Sequence, residues 1–252
     1  MWFADIKEEL NINCIEQDCA SLLPTAAQII PSLQGKITTD RNGNISVNRD
    51  NHDVITQFYQ YLQSQHPEAD NIYRVTYIWN SLCWQAIYLA FIGVYQVKVV
   101  PDFSGFRQTY HQGKIAGYSF QSKRGISAEK GELISHVGQQ LTTIFEHWRL
   151  ELCQAYSCRP GMSNKLTADS LMVALQQVKQ MIPGMTKEDL LKDAVLWLDA
   201  FGLSNRFLAG FECHQKRIDY WRTSCCQVVK IKGTNVCANC PKLKKKRDVQ
   251  IK

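Results

Sequence analysis

The sequence holds no uninterrupted apolar run long enough to cross a bilayer. Its most apolar stretch, residues 72–95, is broken by Arg74, Asn80, Ser81 and Gln85. The longest clean run, Ala86 to Tyr95, is about half of the ~20 residues that a membrane-spanning helix requires. That stretch reads as a buried core helix, which argues against stable membrane insertion. The start, MWFADIKEEL, lacks the basic, apolar and small-residue regions of a secretory signal, so a reducing cytoplasm is the expected compartment. Nucleotide signatures are absent as well. No Gly-x-Gly-x-x-Gly occurs, and the nearest approach to a phosphate loop, Gly105 to Gly113-Lys114, has the wrong spacing. Without His-Glu-x-x-His or Gly-x-Ser-x-Gly, the common zinc-protease and serine-hydrolase machineries are excluded too.

What is present is an ordinary globular composition, 45% hydrophobic and 21% charged over 252 residues, enough for one large domain or two small ones. The net charge of +6 is concentrated at one end. Lys242, Lys244, Lys245, Lys246, Arg247 and Lys252 face a single acid, Asp248, so residues 242–252 carry +5 and the rest only +1. A nearly neutral body argues against a nucleic-acid surface. The tail itself reads as a solvated, disordered end, with docking of an acidic electron donor or of anionic lipid as the alternatives. Cysteine is skewed the same way: of ten, Cys225, Cys226, Cys237 and Cys240 fall within sixteen residues.

Apolar spacing gives a helix-rich body. A short helix is expected at the chain start, and Thr39 to Asn44 reads as a turn. Asn51 or Asp53 caps a helix carrying Val54, Ile55, Phe58 and Leu62, and a long apolar helix follows from Asn71 to Phe91. Gln96 to Val100 alternates and Lys114 to Phe120 resembles a second strand, so the pair predicts one small antiparallel sheet. Helices are predicted over Glu129 to Tyr156, over Ala168 to Ile182, after a capping box at Thr186 to Asp189, and from Asn205 to Tyr220. The fold class is therefore α+β, with residues 1–204 as the body, 205–241 as a cysteine-bearing segment and 242–252 as the tail.

That segment reads RTSCCQVVKIKGTNVCANCPK, or Cys-Cys, ten residues, Cys, two residues, Cys. Four thiols this close in a reducing compartment suit a metal better than disulfides. Zinc and an iron–sulfur cluster both accept four thiolates. Gly233 and Asn235 allow the intervening loop to turn back, bringing the two pairs together. Neighbouring residues of an extended chain point in opposite directions, so one tetrahedral ion takes the adjacent Cys225-Cys226 with difficulty, and a two-iron cluster takes it more easily.

The run Arg222, Ser224-Cys225-Cys226, then Cys237-x-x-Cys240-Pro241, resembles the ferric-siderophore reductases of the FhuF type. The resemblance covers about twenty residues. It implies a 2Fe-2S cluster held by Cys225, Cys226, Cys237 and Cys240, with no catalytic residue beyond the cluster. It also implies a cytoplasmic oxidoreductase that converts siderophore-bound Fe(III) to Fe(II). With no nucleotide site in the sequence, the electron would come from an external ferredoxin or flavoprotein reductase. The alternative is a zinc-stabilised, non-enzymatic binding module.

Other candidates are weaker. Cys14 with Cys19, and Cys153 with Cys158, lack third and fourth ligands and read as isolated or buried thiols, as Cys83 does within the apolar helix. His214 is a possible substitute ligand, and His111, His136 and His147 are possible proton donors. Tyr220-Trp221 would shield the cysteines, line a substrate surface or simply pack. Lys230, Lys232 and Lys242 would favour a reduced, more negative cluster and raise its potential.

Overall fold

A computed structural model describes residues 14–40, 43–213 and 218–244 of the chain. The expected first helix, His214 and most of the basic tail lie outside these residues, as do two positions of the Thr39 to Asn44 turn. Among the described residues the chain forms six α-helices: α1 Leu22–Ile29, α2 His52–Gln65, α3 Asn71–Ile92, α4 Lys130–Tyr156, α5 Pro160–Met181 and α6 Lys187–Ala200.

Helix α3 is the centre of the body, packed by α2, α4 and α5. Most of its side chains are buried, with Val75, Ile78, Leu82, Ala86 and Leu89 along one face, and only a narrow stripe of Tyr77, Ser81, Trp84 and Tyr88 is partly exposed. It is long and apolar enough to cross a membrane, but 72% of its most apolar window is buried inside the protein, as expected of a core helix. Asp70 caps it by accepting from the Tyr73 amide at 3.0 Å.

The predicted ends of the other helices are set by local chemistry. Asn51 stands at the N-cap position of α2, but its side chain does not cap the helix and bonds Ser46 and Glu151 instead. Glu129 and Glu132 form a capping box at α4, and Thr186 and Asp189 form one at α6, with both halves of each made. Helix α5 begins at Pro160, eight residues before the expected Ala168, because proline at the first helical position loses no hydrogen bond there.

The sheet expectation requires correction. Nine strands, β1 Ile15–Asp18, β2 Gly35–Ile37, β3 Ile45–Ser46, β4 Val100–Pro101, β5 Arg107–His111, β6 Lys114–Phe120, β7 Arg124–Ser127, β8 Phe211–Cys213 and β9 Ile218–Tyr220, form three small sheets among the described residues, not one. Their orders are β1-β7-β4, β2-β6-β5-β3 and β8-β9, and only the β2–β6 pairing is parallel. Residues Gln96 and Val97 are not strand. They continue α3 as a π-turn over Gly93–Val97, which ends where Lys98 turns left-handed. Tertiary contact overrides the short alternation here, since the Tyr95 hydroxyl is drawn to Asp193 of α6. Strand β6 pairs instead with β5, through a two-residue turn at Gln112-Gly113 in which both residues have positive φ, as a tight hairpin requires.

The expected helix over Asn205 to Tyr220 is likewise replaced. Residues Asn205–Gly210 form a 3-10 turn, and β8 and β9 pair after it. At Gly210 the backbone of Trp221 approaches so closely that a Cβ atom would lie 2.7 Å from its carbonyl oxygen. A helix with side chains there would not admit the returning strand.

Two buried carboxylates join elements. Glu151 of α4 accepts from the Asn51 amide at 2.7 Å and its side chain at 2.8 Å. Asp193 of α6 accepts from the Tyr95 hydroxyl at 2.9 Å and pairs with Lys130 at 2.8 Å, while Trp197 donates to Tyr95 at 3.0 Å. The Trp197 ring also stacks on Phe91, 4.1 Å between centroids. Burial and the Asp193 charge both push the Tyr95 hydroxyl up, so it remains a neutral donor. Asp193→Ala strips this donor of its acceptor, and denaturant unfolding is expected to show a loss of about 1–3 kcal/mol. An unchanged midpoint would remove Asp193 from the fold's supports.

Candidate metal centre

The cysteine segment is held against the body chiefly by one side chain. Asp169 sits on the inner face of α5 and is fully buried. Its Oδ1 accepts from the Tyr220 hydroxyl at 2.9 Å, the Thr223 amide at 2.8 Å and the Thr223 hydroxyl at 3.1 Å. Its Oδ2 accepts from the Ser224 amide at 2.7 Å and from the Ser224 hydroxyl. Arg222 Nε stands 4.0 Å from the same oxygen. Five donors and a guanidinium thus satisfy a charge that would be costly to bury alone. All of them come from the five residues immediately before Cys225. Tyr220, buried and bonded to this carboxylate, has its hydroxyl pushed up by burial first and by Asp169 second.

Further ties close the segment on itself. The Trp221 amide donates to the Gly210 carbonyl at 2.8 Å, and the Arg222 amide donates to the Asn239 carbonyl at 3.1 Å, which sets the first cysteine pair beside the second. Gln176 of α5 donates to the Ile218 carbonyl at 3.1 Å. Trp221 donates to Glu212 at 2.8 Å, and Glu212 also pairs with Lys244 at 3.0 Å. Between the pairs, Gln227 and Gly233 adopt left-handed backbone, and Thr234 caps the loop by donating to the Val228 carbonyl at 2.7 Å.

The loop therefore turns back at Gly233, as its residues suggest. The sulfurs of Cys226 and Cys237 come to 2.8 Å, one from each half of the motif. Cys240 is buried and follows Cys237 through a tight turn, its amide donating to the Cys237 carbonyl at 3.0 Å. Burial, with Cys226 second, pushes the Cys237 thiol up to about 11. Tyr73 of α3 lies near Cys226, and its hydroxyl is raised to about 12, mainly by burial. Cys225 instead faces an open groove of about 470 Å³, whose walls include Ile72 and Thr76 of α3 and Arg159 and Lys165 at the start of α5. All four thiols are unlinked, and soft sulfur donors of this kind suit a thiolate-ligated cluster or zinc. Among the described residues no three His, Cys, Asp or Glu side chains already converge on a single ion position. The donors are of the type such a group takes, and one sulfur from each half, Cys226 and Cys237, is brought together.

The remaining candidates do not gather at the motif, although Cys158 lies near Cys83 and Cys153. Cys83 lies in the core of α3 as expected, and burial raises it and Cys158. Cys19 is buried, and its thiol is raised to about 11. His147 contacts the Arg49 carbonyl at 3.1 Å, His136 bonds with Gln140 at 2.6 Å, and His111 is exposed at the β5–β6 hairpin. Lys230 is not a free cation. It pairs with Asp70, and this hydrogen bond holds the Asp70 carboxyl below its usual range. The Lys232 amide donates to Glu68 at 3.2 Å, and that carboxyl is lowered first by its own backbone amide and second by the Lys232 amide. With the Lys230 charge met by Asp70, its expected effect on a bound cluster is reduced, and the Lys230 side chain and the Lys232 amide tie the loop to the cap of α3.

Asp169 escapes a motif reading, but its position carries a signal. An acid between Leu166 and Met172, at the helical spacing of the buried face, needs a partner brought by another element. No protein-family model matches the chain, and no solved structure matches it. Asp169→Asn replaces an acceptor facing two donors of Ser224 or Thr223 with a donor. Amide hydrogen exchange at Thr223 and Ser224 is expected to accelerate by at least an order of magnitude, about 1.4 kcal/mol, while exchange within α4 stays unchanged. Unchanged protection at these two amides would show that the clamp is unimportant.

Proposed function

We propose that the chain is a cytoplasmic ferric-siderophore reductase, converting siderophore-bound Fe(III) to Fe(II) by one electron, with Cys225, Cys226, Cys237 and Cys240 holding a 2Fe-2S cluster. The observation that carries this reading is the approach of one cysteine from each pair across a ten-residue loop, Cys226 to Cys237 at 2.8 Å. When bound, such a cluster supplies a one-electron carrier whose potential depends on nearby charge and solvent.

The chain's own residues do the rest. Asp169 fixes Thr223 and Ser224, and so the direction in which Cys225 and Cys226 leave α5. The turn at Cys237 leads the chain inward to the buried Cys240, while Cys237 itself stays partly exposed. Cys225, half-exposed at the groove, is the thiol through which an outside chelate makes its nearest approach. Hard oxygen chelators hold Fe(III) more strongly than Fe(II), so reduction alone loosens the metal, and no nucleophile or general base is required. A ferredoxin or flavoprotein reductase is the proposed electron donor.

The purified protein is expected to be brown, to contain iron and sulfide, and to bleach with dithionite. Each single Cys→Ser change at the four positions should lower its iron content. Anaerobic mixing of the reduced protein with ferric siderophores, followed by visible absorbance, should restore the oxidised spectrum. A colourless protein with stoichiometric zinc would establish the binding-module alternative, and a genuine cluster that no ferric siderophore reoxidises would remove the reductase assignment.

A further inference from the structure

The cysteine segment carries one largely buried cation whose role the hydrogen-bonded clamp does not explain. Arg222 stands three residues before Cys225, and its side chain is 15% exposed, against 31% for Lys230 and 28% for Lys244. Its backbone amide donates to the Asn239 carbonyl at 3.1 Å, which places the residue where the two halves of the motif meet. Its guanidinium Nε lies 4.0 Å from Asp169 Oδ2, beyond hydrogen-bond reach, and the side chain donates no hydrogen bond among the described residues. Asp169 does not need it as a donor, since five others already meet that carboxylate.

What Arg222 supplies is charge. Asp169 is fully buried, and two of its donors belong to Ser224, the residue immediately before Cys225. A carboxylate so placed is screened less than a surface charge, because little water surrounds it. Arg222 is the cation that balances it. The guanidinium also acts on the second half of the motif: burial and then Cys226 push the Cys237 thiol up, and the Arg222 charge alone pulls the other way. The Lys230–Asp70 and Lys244–Glu212 pairs lie farther into solvent. A cluster gains one negative charge on reduction, so an unbalanced carboxylate beside it lowers its potential and a cation raises it.

We propose that Arg222 sets the reduction potential of the bound cluster, by cancelling the buried charge of Asp169 and so favouring the reduced state. The inference rests on the cluster part of the function proposed above and needs no particular siderophore or electron donor. It gives Asp169 a second effect: the carboxylate that fixes the path of the segment also opposes reduction, and Arg222 offsets that opposition. Removing either member alone leaves one uncompensated charge in a place of low dielectric, and the two removals act in opposite directions.

Redox titration of the full, cluster-loaded chain with dithionite, followed by visible absorbance, tests this. Arg222→Gln is expected to shift the one-electron equilibrium toward the oxidised form by at least about ten-fold, or about 59 mV. Arg222→Lys keeps the charge and should keep most of the potential. Asp169→Asn should move the midpoint upward, and the double variant should lie between the two single ones. Iron and sulfide per chain are measured for each protein, so that loss of cluster is not read as a shift. A purely structural role would lower cluster content or move both single variants the same way.

An unchanged midpoint in Arg222→Gln, or shifts of the same sign in Arg222→Gln and Asp169→Asn, would overturn the assignment. If Arg222→Gln does not retain a cluster, Asp169→Asn decides: a raised midpoint supports the charge balance, and an unchanged or lowered one overturns it. The two readings fail separately. A brown protein whose midpoint ignores these variants keeps its cluster and loses the role of Arg222. A protein that shows the opposed shifts, but whose cluster no ferric siderophore reoxidises, keeps that role and loses the reductase. A colourless protein removes both.

Discussion

The arrangement of this protein's C-terminal third depends on the carboxylate of Asp169. A charge buried in the inner face of a helix is tolerated only when its lone pairs are met. Here five donors between Tyr220 and Ser224, with Arg222 alongside, meet them. The constraint acts in both directions. Helix α5 keeps its buried acid because the segment folds over it, and the segment, which has only short strands of its own, acquires a defined path because the acid is there. Each hydrogen bond to a charged group contributes on the order of 1.5–3 kcal/mol. Much of that gain offsets the desolvation of the buried carboxylate, so the five bonds fix the path of the segment more than they add net stability.

Helix α5 serves several purposes along its length. Its first turns supply Arg159 and Lys165 to the groove, its middle supplies Asp169, and its later turns supply Gln176 to strand β9. The start of α3 is used similarly. Asp70 caps that helix and also receives Lys230, while Ile72 and Thr76 form the opposite wall of the groove. The cysteine loop is thus pinned at its base by α5 and near its middle by α3. Such double anchoring holds four thiols in a restricted region without a sheet or helix beneath them, and the proposed cluster would complete the same construction.

Helices were legible where their period ran long. The face of Val54, Ile55, Phe58 and Leu62, the continuous apolar surface of α3 and the Thr186 capping box all rest on contacts within a few residues. The strands were less so. Gln96 to Val100 shows an alternation too short to resist the pull of Tyr95 toward Asp193, ninety-eight residues away. Phe211–Cys213 and Ile218–Tyr220 carry three residues each, too few to show a period, and their pairing depends on the close approach at Gly210. The β5 strand, RQTYH, mixes polar and aromatic residues and becomes a strand through its tight turn and its neighbour β6.

By itself the sequence determined the helix-rich body, the presence of its long helices, the concentration of positive charge in the tail and the identity of four clustered cysteines. These are properties of composition and of spacing along one element, where the interacting groups lie within a few turns of one another. The tertiary structure decided which strands pair, that the acid at position 169 holds the cysteine segment, that Lys230 is neutralised by Asp70, and that Arg159 and Lys165 flank Cys225. The contacts of Asp169 with the cysteine segment span 51 to 55 positions and that of Lys230 with Asp70 spans 160, whereas the β5–β6 and β8–β9 pairings are local. Separations of that size leave no trace in periodicity, because the partner is chosen by how packed helices bring distant surfaces together.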